Sequence, residues 1–123
     1  MYTLDTNALI YHLHDERSVR GFIDDAIRNA LPLYISSISV TELLRFQQLP
    51  LGEELAIAEL LPALSVVPVD LQIARKAGEL GRFYTVKLAD SIIAATALFT
   101  GTTLITRNVK DFKKIDGLAI QKI

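Results

Sequence analysis

Four acidic residues of the chain, Asp5, Glu42, Asp90 and Asp111, each stand where the sequence pattern predicts that a structural element begins. Carboxylates that are far apart in sequence but close in space are the ligands with which proteins hold hard divalent cations. Two carboxylates about 4 Å apart repel each other by roughly 4 kcal/mol at an effective dielectric constant of about 20. A bound Mg²⁺ or Mn²⁺ ion removes that cost, so we predict a site for one of these ions.

Each acidic residue also has a purely structural interpretation. Asp5 and Asp90 could stabilise the N-terminus of a helix through its dipole, and Glu42 could complete a capping box that begins at Ser39. Asp90 is harder to explain in this way, because it is the only charged residue of the long apolar segment that it begins. A buried carboxylate without a partner is costly, so Asp90 needs a cation or strong hydrogen-bond donors nearby.

Strands alternate with helices along the chain. The hydrophobic periodicity predicts strands at 2–4, 33–38, 65–69, 102–106 and 118–123, and helices at 6–12, 17–30, 39–46, 53–61, 71–80 and 88–99, with a short helical turn at 108–114. This order is typical of an α/β domain with three layers, in which helices cover both faces of a mostly parallel sheet of four to five strands. At 123 residues we predict one domain, residues 1–123.

The ends of the elements carry more specific signals. Pro68 within the third strand favours a position at the edge of the sheet. Asp70 is predicted to cap the helix that follows, and Gly81 to end it. Ser39 is predicted to open the helix that continues through Phe46.

In a parallel α/β sheet, ligands bind in the crevice at the C-terminal ends of the strands. Asp5 follows the first predicted strand, and Asn108 and Asp111 follow the fourth. The predicted fold therefore brings these three side chains to one edge of the sheet.

Composition restricts the possible chemistry. The chain has no cysteine, which excludes disulfides and cysteine-bound zinc, and its two histidines fall on different faces of a predicted helix. The N-terminus lacks the pattern of a secretory signal, and the longest uncharged stretch, 91–106, falls short of the ~20 apolar residues of a membrane span. We therefore predict a soluble, cytoplasmic protein without a membrane segment.

Charge is unevenly distributed although the net charge is only −1. Residues 1–70 contain 4 Lys and Arg against 10 Asp and Glu, whereas residues 71–123 contain 9 against 4. The basic C-terminal half is suited to face phosphate groups. A mean hydropathy of +0.32 suggests that a partner or a second copy covers some apolar surface.

Four runs of residues, in this order, resemble those of PIN-domain ribonucleases, specifically the VapC-type toxins of toxin–antitoxin pairs. They are Leu-Asp-Thr-Asn at 4–7, Ser-Val-Thr-Glu-Leu at 39–43, Ala-Asp-Ser-Ile-Ile-Ala-Ala-Thr-Ala at 89–97 and Thr-Arg-Asn-Val-Lys-Asp-Phe at 106–112. The resemblance extends over essentially the whole sequence. It implies a PIN-like fold and cleavage of RNA.

The resemblance also implies roles for individual residues. Three carboxylates would be metal ligands and three polar neighbours would support them, namely Asp5, Glu42 and Asp90, and Thr6, Asn7 and Ser91. Many members of the family have an aspartate directly after Thr-Arg, where this chain has Asn108. Asp111 either takes the fourth acidic role, directly or through water, or only caps the turn in which it lies.

The mechanism implied is in-line attack of a water molecule, activated by Mg²⁺ or Mn²⁺, on an RNA phosphodiester. Lys87, Arg107 and Lys110 are candidates for contacts with the RNA backbone. For Lys87 and Arg107, which flank the acidic residues, pairing with a carboxylate is an equal alternative. The resemblance further implies a homodimer and a cognate antitoxin that covers the crevice.

Two other functions are compatible with a domain of this size. A phosphoryl-accepting signalling domain needs a lysine on a late strand, and 102–106 contains none. The other alternative is a PIN-like interaction module without catalytic activity, whose acidic N-terminal half binds a basic partner. Binding of a metal ion distinguishes the predicted endoribonuclease from this module.

Overall fold

A parallel five-stranded sheet forms the centre of the protein in the computed structural model, which describes residues 1–45 and 47–123. The strands are β1 (Tyr2–Leu4), β2 (Leu33–Ser36), β3 (Ser65–Val67), β4 (Thr103–Thr106) and β5 (Ile120–Lys122). Their order in the sheet is β3-β2-β1-β4-β5, and each neighbouring pair is parallel. The predicted α/β class with a mostly parallel sheet is confirmed.

Helices cover both faces of the sheet. They are α1 (Thr6–Leu13), α2 (Arg17–Arg28), α3 (Ser37–Leu44), α4 (Leu51–Leu60), α5 (Leu71–Tyr84), α6 (Leu88–Thr100) and α7 (Val109–Phe112), with a 3₁₀ turn at Leu61–Ala63. Successive strand residues point to opposite faces, so Ile105 belongs to the core beneath α1–α4 and Leu104 to the core beneath α5–α7. The result is the three-layer arrangement expected of a PIN-like domain.

The course of the chain changes direction beside the central strand. From β1 the chain proceeds outward through β2 and β3, and β4 then returns to the other side of β1. The two strand ends at this reversal, Leu4 and Thr106, leave a crevice between the loops that follow them. Asp5 follows the first of these strands directly, and Asn108 lies two residues beyond the second.

Helix α3 begins earlier than predicted. Ser36 is its N-cap, because the Ser36 hydroxyl accepts a hydrogen bond of 3.2 Å from the Ile38 N–H. The predicted capping box of Ser39 and Glu42 is therefore wrong, and Glu42 lies in the second half of the helix rather than at an element start. Of the helix predicted to continue through Phe46, α3 extends to Leu44, and Phe46 lies outside the described residues.

Helix α5 confirms one predicted end and corrects the other. The Asp70 carboxylate accepts a hydrogen bond of 2.9 Å from the Ile73 N–H and caps the helix. Gly81 does not end α5, which continues to Tyr84 and stops at Thr85 in a left-handed conformation, with φ of 54°. Burial of the helix stripe that includes Leu80 outweighs the ~1 kcal/mol by which glycine disfavours a helix interior.

The third strand lies at the edge of the sheet, as Pro68 predicted. It ends at Val67, immediately before the proline, because proline has no N–H to donate to a neighbouring strand. Its pairing with β2 is parallel and aligns Tyr34 with Ser65.

Helix α6 is apolar because it lies against the centre of the sheet. Ile93 through Ala97 are all buried in the core. Among the described residues, no single helix is long and apolar enough to cross a membrane. By length and composition alone the pair α5 and α6 could do so together, with a bend of 120° between them.

We predict that Asp70→Ala destabilises the protein by about 1 kcal/mol, because the first turn of α5 loses its side-chain acceptor. Asp70→Asn keeps an acceptor oxygen and is the matched control. Urea unfolding followed by circular dichroism measures both changes. Equal stability of the alanine and asparagine variants would contradict a capping role for this carboxylate.

Candidate active site at the ends of the central strands

Asp5 is held between the ends of the two central strands. Its N–H donates to the Ile105 carbonyl at 3.0 Å, which places the residue directly after β1 and beside β4. The Thr106 hydroxyl donates a hydrogen bond of 2.8 Å to Asp5 Oδ2. Only 4% of Asp5 is exposed, so its orientation is fixed by the strand ends.

Glu42 reaches the same region from α3. The Thr6 hydroxyl, at the first position of α1, donates a hydrogen bond of 2.6 Å to Glu42 Oε1. The Thr6 and Ser39 hydroxyl oxygens are 2.8 Å apart, so the two helices are connected through buried hydroxyl groups. Although Ser39 does not cap α3, it helps to position Thr6 beside the acidic residue.

Three of the four predicted carboxylates line one cavity. Asp90 lies in the first turn of α6 and faces a cavity of about 550 Å³ that Asp5 and Glu42 also line. The other residues that line it are Thr6, Asn7, Ile10, Arg45 and Gln47. The structure therefore brings together acids from three separate parts of the sequence.

The pKa of Asp90 reflects both its burial and the charges of the other three acids. The pKa of Asp90 is raised from its ordinary 3.8 to about 6, chiefly by burial and also by the charges of Asp5, Asp111 and Glu42, while Lys87 opposes the change. Burial also raises the pKa of Asp5, against the effect of the hydrogen bond from Thr106. The fold thus holds two carboxylates, Asp5 and Asp90, where protonation is favoured.

Asp111 is joined to this cluster through Asn108. The Asn108 side-chain amide donates a hydrogen bond of 2.8 Å to Asp111 Oδ2. The Asn108 backbone N–H donates one of 2.9 Å to the Thr106 hydroxyl oxygen, which itself donates to Asp5. A chain of hydrogen bonds therefore runs from Asp5 to Asp111.

Ser91 is placed apart from the acidic residues. Its hydroxyl donates a hydrogen bond of 2.7 Å to the Leu88 carbonyl within α6. The residue lines a different, mainly apolar cavity of about 400 Å³ between α5 and α6. The sequence predicted that Ser91 supports the acidic residues. In the structure its hydroxyl forms its hydrogen bond within α6.

The three predicted RNA-binding residues have different surroundings. Lys87, immediately before α6, and Lys110, in α7, are exposed. Arg107 instead pairs with Glu16 and lies over Tyr11, with its guanidinium carbon 4.3 Å from the ring centroid. The sequence left two roles open for Arg107, contact with RNA phosphate or pairing with a carboxylate. In the structure it pairs with the carboxylate of Glu16, which is not one of the four predicted acids.

Several residues of the site were not found from the sequence, among them Thr106, Arg45 and Gln47. Thr106 connects Asp5 to the loop after β4, and Arg45 and Gln47 line the acidic cavity. Thr106 could have been found from its position at the end of the strand beside β1. Arg45 follows Glu42 by three residues, which places both on one side of a helix.

The donor atoms present suit a hard cation. All four acids offer carboxylate oxygens, the ligands that Mg²⁺ and Mn²⁺ prefer, and within residues 1–45 and 47–123 none of them forms a salt bridge with a basic side chain. In the same ranges, no three acidic or histidine side chains already converge on one point that could hold an ion. A bound cation would offset the repulsion that raises the pKa of Asp90.

Comparison with known families identifies the domain. The PIN domain model matches residues 2–118. The chain belongs to the PIN-domain family. Ribonuclease VapC10 of Mycobacterium tuberculosis is 32% identical, in an alignment that covers 96% of this chain and 90% of the relative. The PIN domain described here is therefore of the VapC type.

Solved structures agree with this assignment. The VapBC2 structure of Rickettsia felis, bound to a promoter DNA fragment, superposes with a TM-score of 0.84 over 99% of this chain and 98% of that one, at 23% identity, and so supports the fold. The DNA-bound VapBC structure of Salmonella typhimurium has a TM-score of 0.79 and 30% identity over 98% of this chain and 96% of that one.

We predict that the metal-free protein loses stability from Asp90 as the pH rises. A raised folded-state pKa means that the contribution of this group is complete below about pH 3.8 and is lost as the pH passes through about 6. Asp90→Asn removes this dependence, so the variant is expected to be more stable than the wild type at pH 7.5. The difference should shrink at pH 4.5.

Urea unfolding in EDTA, at several values of pH between these limits, measures the difference between the two proteins. Comparison with the variant isolates Asp90 from the other titrating groups. Parallel pH profiles for the wild type and Asp90→Asn would show that the carboxylate is not destabilised by its surroundings.

Proposed function

We propose that this PIN domain is a metal-dependent endoribonuclease toxin that hydrolyses RNA phosphodiester bonds and is inhibited by a cognate antitoxin. The observation that carries the proposal is the cavity shared by Asp5, Glu42 and Asp90 at the ends of the central strands. Asp111 is close enough for its charge to raise the pKa of Asp90. The similarity to a protein named Ribonuclease VapC10 supports the same chemistry.

Asp5, Glu42, Asp90 and Asp111 are the residues that would hold Mg²⁺ or Mn²⁺. When bound, the ion supplies activation of the attacking water and neutralisation of charge on the phosphodiester. The hydroxyls of Thr6 and Thr106 orient Glu42 and Asp5 by donating to their carboxylates. Asn7 is exposed and borders the cavity, which supports a role for it in contacting a phosphate oxygen of the substrate.

Basic residues near the cavity are suited to hold the RNA backbone. Arg45 lines the cavity, Lys87 is exposed immediately before the helix that carries Asp90, and Lys110 is exposed on the helix that carries Asp111. Contacts of this kind depend on phosphate charge rather than base identity, and they weaken as salt concentration rises. We therefore expect RNA affinity to fall steeply between low and physiological salt.

The proposed partners are a cognate antitoxin, a second copy of the chain and cytoplasmic RNA. Solved relatives include a toxin–antitoxin complex from Klebsiella pneumoniae, 29% identical over the whole chain. Leu51 and Leu55 of α4 are 71% and 56% exposed, which suits an apolar contact with an antitoxin. Phe83 and Leu88, 69% and 78% exposed, are candidates for a homodimer contact.

Asp5→Asn and Asp90→Asn are each expected to abolish Mg²⁺-dependent RNA cleavage. Each substitution removes a proposed ligand, so the loss should exceed the ~10–100-fold cost of changing outer-shell partners. Asp116→Asn changes an exposed acid outside the cavity and is the matched control. Cleavage of labelled RNA, with circular dichroism to verify folding, measures the effect, and undiminished cleavage by both site variants would refute the proposal.

Mn²⁺ binding provides a test that is independent of catalysis. Isothermal titration calorimetry of the wild type is expected to show binding near neutral pH, and Asp5→Asn to weaken it by at least about tenfold, since a ligand is lost. Asp116→Asn should bind like the wild type. An absence of binding heat in the wild type, together with no cleavage, would indicate the catalytically idle interaction module instead.

A further inference from the structure

Arg107 makes several contacts through different parts of its guanidinium group. Nη2 pairs with Glu16 Oε1, and Nε donates a hydrogen bond of 3.1 Å to the Ile123 carbonyl. The face of the group lies over the Tyr11 ring, at 4.3 Å from its centroid. A planar guanidinium can satisfy all three contacts together, whereas the ammonium of lysine cannot.

The residues on either side of Arg107 organise the acidic site. Thr106 donates to Asp5, and Asn108 donates to both the Thr106 hydroxyl oxygen and Asp111. A shift of the backbone at Arg107 would therefore displace the side chains that donate hydrogen bonds to Asp5 and Asp111, two proposed metal ligands. Arg107 itself lies between these donors but directs its side chain away from the carboxylates.

The side chain of Arg107 contacts the corner between α1 and α2, which is formed by Tyr11 and Glu16. Glu16 is the N-cap residue of α2, and its N–H donates a hydrogen bond of 2.9 Å to the Tyr11 carbonyl. Helix α1, which contains Tyr11, begins directly after Asp5. The chain around the end of β4 is thus attached near both ends of α1: Thr106 bonds its N-cap residue Asp5, and Arg107 contacts this corner.

We propose that Arg107 is a positioning residue that fixes the loop after β4, so that Thr106 and Asn108 keep Asp5 and Asp111 in place for metal binding. The inference rests on the proposed nuclease function and names a determinant of that site. Its consequence is that Glu16 supports metal binding although it is outside the acidic cavity. An RNA-contacting Arg107 would have no such dependence on Glu16.

The test compares Arg107→Gln, Glu16→Gln and the double variant with the wild type. Asp15→Asn is the matched control, because it removes the neighbouring acid and its left-handed φ of 58° tolerates asparagine. Three quantities are measured: Mn²⁺ affinity by calorimetry, kcat and KM for RNA cleavage, and hydrogen exchange of the Asn108 amide. Arg107→Lys is added because it keeps the charge but not the planar group.

Each single variant is expected to weaken Mn²⁺ binding by about three- to tenfold, at or below the ~10–100-fold effect of directly bonded outer-shell partners. At a fixed metal concentration kcat should fall while KM for RNA stays nearly constant. Exchange at Asn108 should accelerate, Arg107→Lys should not restore the wild-type values, and the double variant should resemble either single one. Asp15→Asn should leave all these quantities unchanged.

Other outcomes would overturn the inference. If Arg107→Gln raises KM and lowers the salt dependence of RNA binding while Glu16→Gln behaves like the wild type, Arg107 is a phosphate contact. If both variants lower thermal stability without changing Mn²⁺ affinity or exchange at Asn108, the contact is merely structural. A wild type that neither binds Mn²⁺ nor cleaves RNA would instead refute the nuclease proposal, while exchange at Asn108 would still report on the attachment.

Discussion

The hydrogen bond from the Thr106 hydroxyl to Asp5 connects the ends of the two central strands, and the acidic site depends on it. Asp5 is almost completely buried, and burial of a charged carboxylate is costly unless donors replace its lost water. The Thr106 hydroxyl and the N–H groups of Thr6 and Asn7 serve as those donors. Because they belong to β4 and to the start of α1, the pairing of β1 with β4 orients the carboxylate before any ligand is bound.

The remaining acids reach Asp5 from elements that the sheet brings together. Glu42 comes from α3, Asp90 from α6 and Asp111 from α7, so no local stretch of sequence contains the charge cluster. Their mutual repulsion is compatible with folding because the apolar contacts on both faces of the sheet stabilise the same arrangement. The core thus maintains a cluster of charges that would otherwise separate.

The sequence predicted the layered fold and the residues beside the strand ends, because hydrophobic periodicity and chain order determine both. It failed where several similar residues compete for one role. Ser36 and Ser39 are both capping residues by type and both are buried, and the point at which the extended backbone of β2 turns into the helix decides for Ser36. The contacts of Arg107 with Glu16 and Tyr11 could not be predicted, since they join segments about 90 residues apart in the sequence.

Asn108 occupies the position at which many members of the family have an acid, directly after Thr106 and Arg107. An amide at this position donates a hydrogen bond, which an aspartate could not do, and its acceptor is Asp111 one helical turn later. The charge of Asp111 contributes to the raised pKa of Asp90, after burial and the charge of Asp5. Asn108 is the N-cap residue of α7 and its side chain bonds an acid within that helix, so the geometry of the loop after β4 determines where the Asp111 carboxylate lies.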